Sequence, residues 1–296
     1  MFNNKSYQKH IDHELKCQHN EIAFNNTFSF DTVDYWRHER MLSFINPIIS
    51  TYPKSSWLTI GDGRFGSDAN YLKRKGIDNV HASSISTHTL IHSHEKGYIN
   101  KYSAQNVESL TFDDNSFDFI LCKEAFHHFP RPYLGLYEMT RVAKKGVILI
   151  EPYDPYVYDK LITHLSRTFK DKIKTIMGKE IDRNCFEESG NYKYMLSERE
   201  IEKYAIAAEA KTIIFHKLND TFIDGGQTEK VSDNSKLFKK IKKSIRYKNV
   251  LCTLGLSSYA IICSLINLST DKMELEKIYK KNKINIKKYT LPQNPY

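Results

Sequence analysis

Between residues 56 and 153, short continuous apolar runs alternate with longer stretches of helical period. SWLTI, NVHASSI, SFDFIL and VILIEPY read as strands, and the last is apolar throughout, as a strand covered on both faces requires. Between them, SDANYLKRKG, STHTLIHSHEKGYI and PRPYLGLYEMTRVAKKG read as helices. Pro132 is set to enter the third helix, and Gly76 and Gly146 are read as stops. This alternation predicts a doubly wound α/β domain.

Upstream, Asp31 is the predicted N-cap of a helix through DTVDYWRHERMLSFINPIIS. Downstream, residues 155–185 read as a basic amphipathic insertion, and Ser197 with Glu200 forms a capping box ahead of EREIEKYAIAAEA. KTIIFHKL and YAIICSLINL are the closing strands, with the basic helix KLFKKIKKSIRYK between them. The chain thus divides into a polar, loosely ordered N-terminal extension (1–30), a domain over 31–270 and a charged, flexible tail (271–296). The domain comprises a core at 55–155, a helical insertion at 155–190, and C-terminal strands and a basic helix at 190–270.

Composition excludes several classes. With 296 residues, 40% hydrophobic and 27% charged, the chain is an ordinary globular one. Its five cysteines are odd in number and none form a C-x-x-C pair. They therefore indicate neither a disulfide framework nor a cysteine zinc site, and predict a reducing, cytoplasmic compartment. No secretory h-region opens the sequence. The uncharged stretch 249–270 is long enough to span a bilayer, but its Gly255, serines and Asn267 fit a helix end plus a buried strand better.

The net charge of +9 is local: residues 236–288 hold 14 Lys/Arg against 3 Asp/Glu, so the rest of the chain is near neutral and argues against nucleic acid as partner. In the basic helix, Leu237, Phe238, Ile241 and Ile245 share one face, which predicts packing on the domain with the lysines in solvent. The sharper alternative is peripheral contact with anionic lipid or an acidic substrate.

The chemistry centres on Gly61-Asp62-Gly63-Arg64-Phe65-Gly66, a G-x-G-x-x-G turn placed after a strand and before a helix. It lacks the Lys-Ser/Thr ending of a phosphate loop, which leaves a dinucleotide or S-adenosylmethionine (SAM) as ligand. Ser83-Ser84 at the end of the second strand, with no acid or arginine near, disfavours a nicotinamide cofactor and hence an NAD(P) oxidoreductase.

Downstream stand Asn115-Ser116-Phe117-Asp118 before a strand and His128-Phe129 after it. Arg141-Val142-Ala143-Lys144 then ends a helix, and Glu151-Pro152 ends the last apolar strand. In this order and spacing the chain resembles class I SAM-dependent methyltransferases, and more narrowly the small-molecule enzymes related to quinone biosynthesis. The resemblance, tight over residues 55–155, implies a mostly parallel seven-stranded Rossmann-like sheet with an antiparallel C-terminal strand. It also implies SAM as cofactor and methyl transfer to a small or carbohydrate-like acceptor, with oxygen the expected target; the basic residues 236–288 add the hint of an anionic acceptor. Gly61, Asp62 and Gly63 would line the methionine end of SAM. Ser84 and Ile85 would lie near ribose and adenine, Asn106 and Val107 at the adenine edge, and Lys123 beside the amino-acid moiety.

Thr59, Ser84 and Asn106 stand where the family prefers acids. Those departures motivate the alternative of a catalytically silent module that binds a partner or lipid through its basic region. The loop after the third strand would place Glu124, His127 and His128 near the methyl group, with His128 as base or acceptor-positioning group and His127 second. Tyr153 and Asp154, and Tyr35, Trp36 and Arg37, are offered as acceptor or lid contacts by the same resemblance, with ordinary amphipathic packing the favoured reading of each. Neither His10, His13, Cys17 and His19 nor His88, His92 and His94 make a convincing metal site.

Overall fold

The computed structural model describes residues 5–157, 160–179, 181, 185–187, 191–269 and 275–293. Two helices, α1 (Lys5–Cys17) and α2 (Glu21–Thr27), precede α3 (Val33–Leu42) and α4 (Asn46–Thr51). The alternating core follows as β1 (Trp57–Ile60), α5 (Ser67–Arg74), β2 (Val80–Ser84), α6 (His88–Glu95), β3 (Lys101–Ala104), β4 (Phe117–Lys123), α7 (Pro132–Val142) and β5 (Ala143–Pro152). The chain continues through α8 (Leu161–Ile176), α9 (Glu198–Ala207), β6 (Thr212–Leu218), α10 (Lys236–Thr253), β7 (Ile261–Asn267), α11 (Leu275–Lys281) and β8 (Lys287–Thr290).

Among the described residues the strands form one eight-stranded sheet, ordered β3-β2-β1-β4-β5-β7-β6-β8. Strands β1 to β5 pair in parallel and β6 to β8 antiparallel. Chain order reverses between β1 and β4, so their carboxyl ends flank the crevice where open α/β sheets bind ligands. The doubly wound reading holds. Continuous apolar runs put Trp57, Phe119 and Ile148 on one side of the sheet and Leu58, Ile120 and Leu149 on the other, all fully buried in two core clusters.

Several local expectations are corrected. Thr32, not Asp31, caps α3, its hydroxyl accepting the Tyr35 N–H. Gly146 does not stop α7; the helix ends at Val142 and Gly146 lies inside β5. A Cβ there would come within 2.9 Å of Leu265 and 3.0 Å of the Ile266 carbonyl, so glycine permits close approach of β7. Strand β3, at the exposed edge, has no apolar run to announce it.

The described part of the tail, residues 275–293, is packed on the domain. Its helix α11 buries Tyr279 completely, with the hydroxyl donating to the Phe44 carbonyl at 3.0 Å, and its strand β8 covers the edge of β6. Residues 5–30 are packed as well, since α1 packs on α6 and α2 inserts Phe24 against Phe65. By contrast, the Ser197–Glu200 capping box is present as read. Helix α10 buries Phe238, Ile241 and Ile245 against Val33, the packing expected of its apolar face. Among the described residues no helix is long and apolar enough to cross a membrane.

Candidate active site

Strand β1 ends in the glycine turn. Gly61 has φ +69° and Gly66 φ +70°, in the left-handed region that favours glycine. A Cβ on Gly61 would stand 2.4 Å from the Ala125 Cβ, so the turn also needs glycine for room against the loop after β4. Asp62 points inward rather than toward the crevice. Its carboxylate accepts the Asp68 and Ala69 N–H groups at 3.1 and 2.9 Å and the Thr59 hydroxyl at 2.8 Å, and so caps the exposed amides of α5. Burial and the nearby Asp68 push the Asp62 carboxyl up to about 8.

A cleft with a cavity volume of about 110 Å³ opens over the carboxyl ends of β1 to β4. Gly61 forms its floor, Ser84 and Ile85 come from the end of β2, Val107 follows β3, and His128 and Phe129 follow β4. These are five of the residues read from the sequence, together with Phe129. Gly63 adjoins them, with Ser84 Oγ 3.0 Å from where its Cβ would be. Asn106 turns its amide onto its own loop, accepting the Glu108 N–H at 3.0 Å.

The other named residues lie off this rim. Thr59 is buried under the turn. Lys123 bridges Asp68 and Glu124, each at 3.3 Å. Glu124, at φ 50°, also faces His38 at 3.3 Å, and Arg64 links this network to Asp34. Burial works against both charges, yet Asp68 and Glu124 hold the Lys123 ammonium above its ordinary value. Likewise Lys123 and His38 hold Glu124 well below the usual carboxylate range. Tyr35 and Trp36 face Phe30 and Phe238, while Arg37 pairs with Asp34 and Asp220; α3 therefore does not lid the cleft. Tyr153 lines a separate hollow with Lys217 and Tyr259, away from His128.

The two histidines after β4 have different settings. His127 is buried, its Nδ1 2.6 Å from Glu151, whose other oxygen accepts the Ala125 and Phe126 N–H groups at 2.9 Å each. The fully buried Glu151 carboxylate therefore sets the shape of this loop from the end of β5. His128 lines the cleft and engages Glu187 through Nδ1, which leaves Nε2 for a ligand. Burial and the adjacent His127 lower the His128 pKa despite Glu187, so the ring is neutral near pH 7. Ligand atoms of His127, His128 and Glu187 lie within 4.8 Å of one another, but Nδ1 of each imidazole is already matched to a carboxylate.

Sequence reasoning missed the wall made by α1. Tyr7, His10 and Glu14, spaced i, i+3 and i+7 on one helical face, all line the cleft. That spacing was visible, but the polar composition of the segment hid it. His10 lies edge-on to His128 with ring centroids 5.7 Å apart, and Glu14 accepts hydrogen bonds from Ser84 and Ser86. The cleft suits a nucleoside-bearing cofactor, because it combines the main chain of Gly61, apolar walls at Ile85, Val107 and Phe129, and hydrogen-bonding groups at Ser84 and Glu14.

Comparison with known proteins bears on the same segment. Residues 58–150 match the family described as a methyltransferase domain. An uncharacterized methyltransferase of Bacillus subtilis (strain 168), YcgJ, is 38% identical over 78 residues, which are 25% of this chain; the match spans about a third, 31%, of that relative's length. The crystal structure of YcgJ aligns at 18% identity over 77% of this chain and 96% of its own, with a TM-score of 0.46. A sarcosine dimethylglycine methyltransferase structure from Galdieria sulphuraria, so described with reservation in its own name, aligns at 16% identity over 78% of this chain and 84% of its own, with a TM-score of 0.48.

Proposed function

We propose that the protein, whose residues 58–150 match a methyltransferase domain, is of the class I, SAM-dependent kind and moves a methyl group from SAM to an oxygen of a small, carbohydrate-like or anionic acceptor. The observation that carries this reading is the common rim of one cleft: the Gly61 turn, Ser84 and Ile85, Val107, and His128 facing it from the loop after β4. SAM, when bound, supplies a methyl group on a positively charged sulfur, already activated for displacement. The chain has then to hold the reactants, keep water away and accept a proton.

Gly61 offers main-chain groups at the cleft, Gly63 lies beneath the Glu14 carboxylate, and Ile85, Val107 and Phe129 offer apolar surface to a flat base. Asp62 and Glu151 serve as positioning residues: the first braces the turn against α5, the second braces the histidine loop. His128 takes the acceptor proton at Nε2, its Nδ1 being oriented by Glu187. Alignment of the reactants accounts for roughly 7–11 kcal/mol of barrier in well-oriented systems, and a general base for about 10²–10⁴-fold. Alignment is the larger contribution.

Titration calorimetry with SAM and S-adenosylhomocysteine tests the cofactor. Binding of both, with a matching rise in melting temperature, is the expected result; no heat with either overturns the reading and favours the silent module. Radiolabelled SAM incubated with fractionated small molecules then finds the acceptor. His128→Ala is expected to leave SAM affinity within about twofold while turnover falls about 10²-fold or more. Equal turnover would remove His128 as base.

A further inference from the structure

Glu14 is the single carboxylate among the cleft-lining residues, and it arrives from outside the sheet, on the inner face of α1. Only 8% of its surface is exposed. One carboxylate oxygen accepts the Ser84 hydroxyl and the other accepts the Ser86 hydroxyl. Both serines follow from the end of β2, and among the described residues no lysine or arginine forms a salt bridge with Glu14. Burial raises its carboxyl pKa, against the pull of those hydroxyls and of His88 and His13.

A buried carboxylate hydrogen-bonded by hydroxyls and without a lysine or arginine salt bridge is costly compared with an apolar side chain. Its position gives it a use. A Cβ on Gly63 would lie 2.5 Å from Glu14 Oε1, so the carboxylate rests directly on the glycine turn. Helix α1 is held there by Ser6 donating to Asn191, by Tyr7 against the Glu108–Arg131 pair, and by His10 against His128. Two carboxylate oxygens, each receiving one hydroxyl, match the demand of a vicinal diol, which presents two O–H donors side by side. The Ser84 and Ser86 hydroxyls occupy those two acceptor positions in the resting structure.

We propose that Glu14 is the residue that binds the 2′- and 3′-hydroxyls of the cofactor ribose, exchanging its two serine hydroxyls for those of the ligand, so that α1 closes the site as part of cofactor recognition. This rests on the SAM reading above and adds to it a residue and a moving element that lie outside the matched domain. The exchange is balanced: two O–H···O hydrogen bonds are released and two formed, with no proton transferred. Ser84 and Ser86 are then free to bond water or the ligand's own oxygens.

The test is calorimetric binding of S-adenosylhomocysteine and its 2′-deoxy and 3′-deoxy analogues to the full-length protein and to Glu14→Gln. Wild type is expected to bind each deoxy analogue about 10- to 100-fold more weakly than the parent, the range of a hydrogen bond to a charged group. Glu14→Gln is expected to lose a similar factor with the parent and to discriminate little between parent and analogues. Equal affinity of Glu14→Gln and wild type for the parent overturns the proposal. So does tighter binding by Glu14→Gln, which would make the carboxylate a plug.

Ser86→Ala gives an independent reading should Glu14→Gln fail to fold. Removal of a resting partner should raise affinity for S-adenosylhomocysteine a few-fold if the hydroxyls exchange, whereas a fall shows that Glu14 merely anchors the helix and overturns the proposal. If wild type binds no S-adenosylhomocysteine, the cofactor reading fails, and this proposal with it. Wild-type binding with an indifferent Glu14→Gln refutes this proposal alone.

Discussion

Replacing Gly61 by alanine separates two physical demands made at one position. The first is conformational: at φ +69° an alanine sits in the left-handed region, at a cost of about 1–2 kcal/mol. The second is steric: the new Cβ would stand 2.4 Å from the Ala125 Cβ, well inside contact distance, and overpacking of this kind costs roughly 1–3 kcal/mol. Gly61→Ala should therefore destabilise the protein by about 2–5 kcal/mol. Ala125→Gly removes the opposing methyl, leaving Ala125 Cα at an ordinary 3.8 Å, and relieves the steric part only. The double variant should retain about 1–2 kcal/mol of conformational strain, and the coupling energy of the cycle should be about 1–3 kcal/mol.

Gly63→Ala is the control. Its backbone is not left-handed, and the nearest obstacle is the far end of the Glu14 side chain, so it should cost under about 1 kcal/mol and chiefly dislodge Glu14. Equilibrium urea unfolding with a check that the slope m is unchanged measures the wild type and all four variants. A Gly61→Ala penalty below about 0.5 kcal/mol, or one no larger than that of Gly63→Ala, would refute the reasoning.

Three other outcomes follow from buried groups. Glu151→Ala leaves His127 and the Ala125 and Phe126 amides without their acceptor, so unfolding free energy should drop by about 3–5 kcal/mol; a loss below about 1 kcal/mol would show that the loop supports itself. Tyr279→Ala, read by the same urea titration, should cost about 3–5 kcal/mol because the ring is fully buried and its hydroxyl bonds the Phe44 carbonyl; a near-neutral result would make the tail dispensable. Burial lowers the pKa of His10, His38, His81, His128 and His216, so as pH falls through the ordinary histidine value these five rings take up protons more readily in the unfolded chain than in the folded one. Stability contributed by these neutral rings is present above the ordinary histidine pKa and is lost as pH falls. The imidazole resonances of these five residues, followed by NMR, should titrate below the ordinary histidine value, and ordinary titration by all five would contradict this reasoning; total stability is not the readout, because the raised Asp62 carboxyl pulls the opposite way over the same range.

Residues 56–153 could be read directly because both signals there are local. A run such as VILI specifies a strand covered on both faces whatever lies on top of it, and a G-x-G-x-x-G turn between strand and helix needs only its own glycines. The capping box at Ser197 and the apolar face of the basic helix are local in the same sense. The order of motifs from Asn115 to Pro152 therefore carried the domain type without any knowledge of packing.

What lies outside that stretch was decided only by tertiary structure, because its hydrogen-bonding partners are far away in sequence. Glu14 meets serines 70 and 72 residues downstream, and Tyr279 meets a carbonyl 235 residues upstream. No window of the sequence contains both partners, so α1 looked like a polar extension and α11 and β8 like a charged tail. Asp62 and Lys123 show the same limit from within the motif: their identity suited a ligand, but their direction was fixed by α5 amides and by Asp68. Residue type and spacing determine where a crevice forms and which chemistry it can hold. Which side chains face into it is set by the packing of elements distant in the chain, since burial compels each polar group to find a partner wherever the fold supplies one.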